Sequence, residues 1–435
     1  MDKSIHHTTA EELRVFQTEQ LTKTVWYAAT ASPFYQRIFS KYGVNPAKIN
    51  SLDDLGRLPF TTKQDLQKHN DEFRCVSRAK IIDYVCTSGT LGKPVTFGLT
   101  EQDLQRLAYN EAYALGLTGG GPQETYLLTT TLDKRFMAGM AYYLGARQLG
   151  AGIIRAGVGA ISMQWEYIRS LRPTALIGVP SFLLKLAEYA EANGINPCDS
   201  SVQKLICIGE NIRNQDFTFN NVGKRLYAKW RLPMFSTYAS TEMGAAFTEC
   251  EAGRGGHHNP DLLIIEVIDA QGYPVAAGQP GELVVTTLGV EGMPLIRFRT
   301  GDLVTLHQER CSCGRTSARV SPVLGRCQQM IKFKGTTLYP QAIYDALNQL
   351  EAVRNYIVEV SDSALDTDDV LIRIGTDESV SDALLELVKG QLKSKLRVTP
   401  TLAFQPSAEI HRLQFRENTH KLTTFVDKRL TILSA

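Results

Sequence analysis

Tyr84-Val-Cys-Thr-Ser-Gly-Thr-Leu-Gly-Lys-Pro-Val-Thr-Phe97 is the stretch around which the chain is organised. A β-rich approach over 81–86 runs into Thr87-Ser88-Gly89-Thr90-Leu91-Gly92-Lys93-Pro94, where two glycines, three hydroxyls and one lysine crowd together. That is the composition of a phosphate cradle. Glycines let backbone N–H groups turn toward an anion, hydroxyls add donors, and a lysine brings a mobile positive charge. The spacing Gly-x-x-Gly-Lys-Pro is not that of the Walker loop, and Pro94 disfavours a helix running on through the lysine. A plain glycine-rich hairpin or βα turn has the same composition, so the rest of the chain must decide between the two.

Downstream the sequence alternates. Helices are expected over 101–115, 138–149, 161–171 and 181–193, and strands over 124–130, 152–155, 175–179 and 204–208. Such alternation predicts a mostly parallel sheet covered by helices. Ligands of open α/β sheets bind at the carboxyl ends of the strands, and polar or glycine-rich turns stand at three such ends: Gly178-Val-Pro180-Ser181, Gly209-Glu210 and Tyr238-Ala239-Ser240-Thr241-Glu242. Upstream, residues 8–80 read mainly as helices, the first opened by the capping signal Thr9-Ala-Glu-Glu12. After about residue 245 the pattern turns to β, with strands expected over 262–268, 282–287, 295–299 and 303–306. The last stretch reads as a small α+β unit ending in a strand over 401–405. The fold class is therefore α/β. A large N-terminal domain, 1–327, carries mostly parallel, helix-covered sheets and a β-rich subdomain at about 245–325, and a small α+β domain follows over 328–435.

Composition narrows the function classes. The 435 residues are 43% apolar, and 47 Lys+Arg against 45 Asp+Glu leave a formal charge of +2, so no nucleic-acid-coating surface is expected and any anion site is local. The opening residues Met-Asp-Lys-Ser-Ile-His-His carry no apolar run, and the weakly polar stretch 137–163 is broken by Arg147 and Arg155. A cytoplasmic protein without a membrane span is the expectation, and in that compartment eight cysteines are not a disulfide framework.

Taken in order, these stretches resemble the adenylate-forming acyl- and aryl-CoA ligase superfamily, most closely its phenylacetate-CoA ligase branch. The resemblance runs from about residue 34 to Leu430. Besides the stretches already quoted, it rests on Gly281-Glu282-Leu-Val-Val-Thr-Thr, Pro294-Leu-Ile-Arg-Phe-Arg-Thr-Gly-Asp302, Cys311-Ser-Cys-Gly-Arg-Thr316, Gly325-Arg326, Gly335 with Tyr339-Pro340, and Lys421 six residues before Asp427. The resemblance implies a mobile C-terminal lid and two half-reactions. ATP and an arylacetic-type acid give an acyl adenylate, and the thiol of coenzyme A then displaces AMP. Forming the adenylate requires anion donors, a Mg²⁺ anchor, an adenosine pocket and a cation at the α-phosphate.

By this resemblance Ser88, Gly89, Thr90, Gly92 and Lys93 hold the phosphates. Glu242, next to Thr241, is the Mg²⁺ ligand, Asp302 serves the ribose, and Arg326 is a second ribose or phosphate contact. Gly209, Glu210 and Tyr238 frame the adenine, with Tyr238 stacking on it, and Ala239, Ser240 and Thr241 belong to the same ATP/AMP site. Lys421 faces the carboxylate and the α-phosphate. The acyl pocket falls at Phe136, Tyr142, Gly178 and Pro180, where aromatic and small residues suit a flat apolar acid. Two positions depart from the family pattern: His420 stands where a glycine usually precedes the lysine, and Gln328 where an acidic hinge residue is usual. The expected partners are a small carboxylic acid, ATP and coenzyme A, and an oligomer is compatible with the sequence. The rival readings are a carrier-protein thiol as acceptor, or a nucleotide-binding descendant that does no chemistry.

Cys311-x-Cys313, followed at once by Gly314, can offer two sulfurs from one turn, and Cys250 and His257 flank the flexible run 253–256. These four are expected to hold a structural Zn²⁺. His257 is preferred to His258 because its distances from Cys250 and Glu266 match the phenylacetate-CoA ligase branch. Free buried cysteines are the alternative.

Overall fold

In a computed structural model the protein is described over residues 5–87, 94–334, 336–362, 368–377, 380–414 and 423–429. The chain divides into two compact units, Met1–Val323 and Leu324–Ala435; the sequence reading had placed the boundary at 327/328.

Thirteen strands of the first unit matter for the site: β1 Asp83–Cys86, β2 Thr96–Leu99, β3 Thr125–Leu128, β4 Gly152–Arg155, β5 Ala175–Gly178, β6 Lys204–Ile208, β7 Met234–Ser240, β8 Ala245–Glu249, β9 Gly256–His257, β10 Leu263–Ile268, β11 Pro280–Thr287, β12 Phe298–His307 and β13 Arg319–Val320. β1 and β2 form a hairpin of their own, and the others lie in the order β10-β11-β12-β13-β9-β8-β7-β6-β5-β3-β4. From β4 through β3, β5 and β6 to β7 every pairing is parallel. From β7 onward every pairing is antiparallel. The β-rich part thus extends the same sheet.

The parallel half forms for the expected reason. β5 is buried along its whole length, as strands covered by helices on both faces must be. Leu127, Leu176, Leu205 and Cys207 pack on one side with Trp165 and Trp230, whose rings stack at 5.8 Å. Burying one such Leu contributes about 1.5–3 kcal/mol. Two helices of this unit have ordinary starts: Thr9 with Glu12 caps Ala10–Ala31, and Thr100 with Asp103 caps Glu101–Leu117, both as capping boxes.

Two expectations are corrected. The strands expected over 295–299 and 303–306 are one strand, β12. The turn signal Thr-Gly-Asp302 is absorbed in a bulge opposite Leu283, where Gly301 takes φ +76° and donates its N–H to the Glu282 carboxylate at 3.1 Å. The helix Asn221–Trp230 had no counterpart in the sequence reading, because only Gly223, Leu226 and Trp230 of it are buried. The second unit is α+β as expected, a four-stranded sheet with helices Pro340–Leu347, Asp382–Leu396 and Ser407–Gln414. Its last strand is Phe425–Asp427, paired parallel to Asn355–Asp362, and lies beyond the expected 401–405. Among the described residues no helix is long and apolar enough to cross a membrane.

The helices Glu101–Leu117 and Met137–Leu149 meet closely at Gly145, where a Cβ would fall 2.4 Å from that of Glu111. Glu111 is buried in this contact and accepts one hydrogen bond, from Asn110 Nδ2 at 3.1 Å. Burial pushes its carboxyl from the ordinary 4.5 up to about 7. The folded state therefore holds the proton more tightly than the unfolded one. The stability this contributes is complete below 4.5 and is lost as pH rises through 7. Glu111→Gln keeps the shape and the Asn110 bond but removes the titration. In urea unfolding the variant is expected to match the wild type near pH 4.5 and to exceed it by on the order of 3 kcal/mol at pH 8. Parallel pH profiles for the two proteins would refute the assignment.

Candidate active site

The carboxyl ends of β5, β6 and β7 lie side by side, and each supplies a turn. After β5 comes Pro180, the first residue of the helix Pro180–Ala192. After β6, Gly209 at φ +77° turns the chain into Glu210, whose carboxylate accepts from the backbone N–H of Ser181 at 2.9 Å and from its hydroxyl at 2.8 Å. Glu210 thus anchors the start of that helix, where a negative charge is favourable, and locks two neighbouring turns together.

β7 reverses into β8 through Thr241-Glu242-Met243-Gly244. The turn is held by Ser240, whose hydroxyl accepts from Met243 N at 3.3 Å and whose carbonyl accepts from Gly244 N at 3.3 Å. Glu242 is little exposed and faces Lys63 Nζ at 3.5 Å. Lys63 is the first residue of the helix Lys63–Lys68, capped by Thr62, and no site role was expected of it. Its reach to Glu242 comes from Thr61, tied to the sheet by hydrogen bonds with Ile296, Arg297 and Arg299. The visible signal was its place straight after the Thr62 cap, and nothing local distinguished it from a surface lysine.

Asp302 and Tyr238, expected to serve ribose and adenine, are joined directly: the Tyr238 hydroxyl donates to Asp302 Oδ2 at 2.7 Å. The tyrosine ring stacks on Phe247 at 5.7 Å. Carboxylate, phenol and the Glu242 turn therefore share one edge of the sheet, with oxygen acceptors for sugar hydroxyls and a hard anionic donor for a cation.

Of the expected acyl-pocket residues, Phe136 is partly exposed at the start of Met137–Leu149, just after Lys134 and Arg135, which adopt φ +58° and +59°. Tyr142 lies in the core among Leu115, Tyr126 and Leu128. Gly178 has no room for a side chain, since a Cβ would meet Thr129 Oγ1 at 2.3 Å, and Pro180 is buried. Arg326 belongs to the second unit, on the short strand Gly325–Arg326. Ser88, Gly89, Thr90, Gly92, Lys93, Gly335, His420 and Lys421 lie outside the described residues.

At the other end of β8, Cys250, His257, Cys311 and Cys313 converge, with their donor atoms all within 4.8 Å of one another. Cys250 Sγ stands 3.7 Å from Cys311 Sγ, and Cys313 Sγ stands 3.4 Å from His257 Nε2. A tetrahedron with Zn–S bonds of about 2.3 Å and a Zn–N bond of about 2.0 Å has edges of roughly 3.5–3.8 Å. These two distances match such edges and the other four stay within 4.8 Å, so the donor set suits zinc. His257 Nδ1 lies 3.1 Å from Ser317 Oγ, which fixes the ring and aims Nε2 at the sulfurs. His258 is turned away to the Leu263 carbonyl at 2.7 Å.

Comparisons with known proteins agree with this geometry. The family described as AMP-binding enzyme matches residues 28–292. A phenylacetate-coenzyme A ligase of Thermus thermophilus is 30% identical over 427 residues, covering 92% of this chain and 94% of that protein. One from Escherichia coli is 29% identical, covering 82% and 81%. Among solved structures, 2-hydroxyisobutyryl-CoA ligase in its postadenylation state with 2-HIB-AMP superposes with a TM-score of 0.85 at 25% identity, over 97% of this chain and 91% of that one. The same ligase with 2-HIB-AMP and CoA in the thioesterification state gives 0.72. A sheet edge that gathers Glu242, Tyr238 and Asp302, within a match of this extent, identifies the chain as a member of the AMP-binding enzyme family, in its phenylacetate-CoA ligase branch.

Proposed function

We propose that the protein is an AMP-forming ligase that activates an aryl, phenylacetate-like carboxylic acid with ATP and passes the acyl group to the thiol of coenzyme A. The observation that carries this reading is the joining of Tyr238 to Asp302 beside the Glu242 turn, in a chain whose relatives are phenylacetate-coenzyme A ligases over most of their length. The acid's carboxylate attacks the α-phosphorus of ATP and pyrophosphate leaves. The sulfur of CoA then attacks the acyl carbon and AMP leaves, so no protein nucleophile is needed.

Each residue has a physical task. Asp302 accepts from the ribose hydroxyls while Tyr238 holds it in place and offers its ring to the adenine. Glu242, a hard anionic donor beside the Thr241 hydroxyl, suits Mg²⁺, which when bound offsets charge on the phosphate oxygens. In the resting arrangement Lys63 balances that carboxylate. Ser88 to Lys93 cradle the leaving phosphates, Arg326 assists at the ribose, and Lys421 offsets charge on the carboxylate and the α-phosphate during the first half-reaction. Cys250, His257, Cys311 and Cys313 hold a structural zinc that fastens the start of β9 to the loop before β13 and leaves no position open for chemistry.

ATP–pyrophosphate exchange across a panel of carboxylic acids tests the reading as a whole. Exchange should be strongest with arylacetic acids, and CoA thioester should form when CoA is added. An absence of exchange with every acid would remove the adenylation reading, and exchange without thioester would remove CoA as the acceptor.

Lys421→Ala is expected to slow adenylation by about a hundredfold or more, the usual cost of one preorganised charge contact. Thioester formation from supplied acyl adenylate should be little changed. An equal loss in both steps would show that the lysine has another role.

Protein purified without added zinc should contain about one equivalent of the metal, the content of a closed four-ligand site. Cys311→Ser should lower both the metal content and the melting temperature. If the metal is absent and chelators leave melting unchanged, the four residues are a cluster of free side chains.

A further inference from the structure

Beneath the Thr241–Gly244 turn lies a buried arginine that the reading so far leaves without a role. Arg106, on the helix Glu101–Leu117, donates from Nη1 to the Gly244 carbonyl at 2.7 Å, from Nη2 to that of Leu262 at 2.7 Å and from Nε to that of Leu288 at 2.8 Å. Three segments distant in sequence therefore end on one planar fork: the turn carrying Glu242, the start of β10 and the end of β11. A guanidinium taken out of water needs its donors satisfied, and here backbone oxygens satisfy them. One turn earlier on the same helix, Asp103 accepts from Glu291 N at 2.8 Å and Gly292 N at 2.9 Å, so the segment after β11 is held at two points by this helix. Gly244, at φ +54°, lets the turn settle directly onto the arginine, since a Cβ there would stand 3.2 Å from Nη1.

We propose that Arg106 is a positioning residue for adenylation: by holding the carbonyls of Gly244, Leu262 and Leu288 it fixes where the Glu242 carboxylate stands, and with it the Mg²⁺ that Glu242 anchors. The inference rests on the reading of Glu242 as the Mg²⁺ ligand. Arg106 itself touches neither metal nor substrate. A rigid turn keeps the Glu242 backbone in place while Lys63 faces its carboxylate at 3.5 Å. Lysine cannot replace the arginine, since a single ammonium cannot span three carbonyls set around a fork.

The test is Mg²⁺ titration of ATP–pyrophosphate exchange with phenylacetate, in wild type, Arg106→Lys, Gly244→Ala, Glu242→Gln and the Arg106→Lys/Glu242→Gln pair. Melting temperature and thioester formation from supplied phenylacetyl adenylate are measured alongside. Arg106→Lys should raise the Mg²⁺ concentration for half-maximal exchange about tenfold, the low end of what loss of a supporting contact costs a metal site. Exchange at saturating Mg²⁺, KM for the acid and the thioester step should change little. Gly244→Ala disturbs the same contact from the turn and should shift the titration in the same direction, which covers the case in which Arg106→Lys does not fold. In the Glu242→Gln background, Arg106→Lys should add no further shift, as expected for two residues acting through one contact. If Arg106→Lys and Gly244→Ala lower melting or slow every step evenly and leave the Mg²⁺ midpoint in place while Glu242→Gln moves it, the positioning role is wrong and the metal reading survives. If Glu242→Gln leaves the midpoint in place, the metal reading itself falls, and this inference falls with it.

Discussion

The reversal after β7 governs the molecule. Every strand pairing from β4 to β7 is parallel, and a parallel strand must be followed by a crossover long enough to carry the chain back to the opposite edge. At Ser240 the chain turns within four residues, and β8 runs back antiparallel, Ser240 opposite Ala245. The turn therefore falls at the carboxyl end of the parallel sheet, where open α/β sheets bind their ligands, and puts Thr241 and Glu242 there. The antiparallel extension that follows carries β12 back to the same edge, which is how Asp302 comes within 2.7 Å of Tyr238 although 64 positions separate them.

What keeps this edge rigid is a set of buried arginines that bond backbone carbonyls. Arg106 gathers three carbonyls. Arg297, only 4% exposed, bonds Leu58 O at 2.9 Å and pairs with Glu266 while its guanidinium lies over the Phe60 ring at 4.0 Å. That second anchor ties the segment before Thr61 to the sheet, and the hydrogen bonds of Thr61 with Ile296, Arg297 and Arg299 continue the seam. Each such bond contributes only about 1 kcal/mol net. Removing one partner leaves the other buried and unsatisfied, which costs more, so the seam resists local rearrangement. Its outcome is to deliver Lys63 to Glu242 from a part of the chain with no sequence signal for it.

The cysteine knuckle follows a different logic. Gly314 at φ +89° and the bond from Gly314 N to Cys311 O at 2.9 Å make the tight turn that offers two sulfurs. Gly253 and Gly255, at φ +59° and +90°, bend the chain between Cys250 and His257. Residues that local spacing joined only loosely are brought together because β9 and β13 pair, His257 opposite Arg319.

The sequence by itself determined what depends on neighbours along the chain. The capping box at Thr9, the strand β5, the βα alternation and the order of the glycine-rich and acidic turns are local patterns, and local physics reads them directly. Strand boundaries near Asp302 were misplaced, because a Thr-Gly-Asp turn signal cannot reveal the Glu282 carboxylate that absorbs it within β12. Only the tertiary structure decided that Tyr238 bonds Asp302, that Glu210 bonds Ser181 at the start of the Pro180–Ala192 helix, that Tyr142 lies in the core, and that Arg106 and Lys63 both reach the Glu242 turn. These are contacts across tens to hundreds of positions. They are created by strand order and by buried side chains that must find partners, and no periodicity or motif encodes which partner that will be.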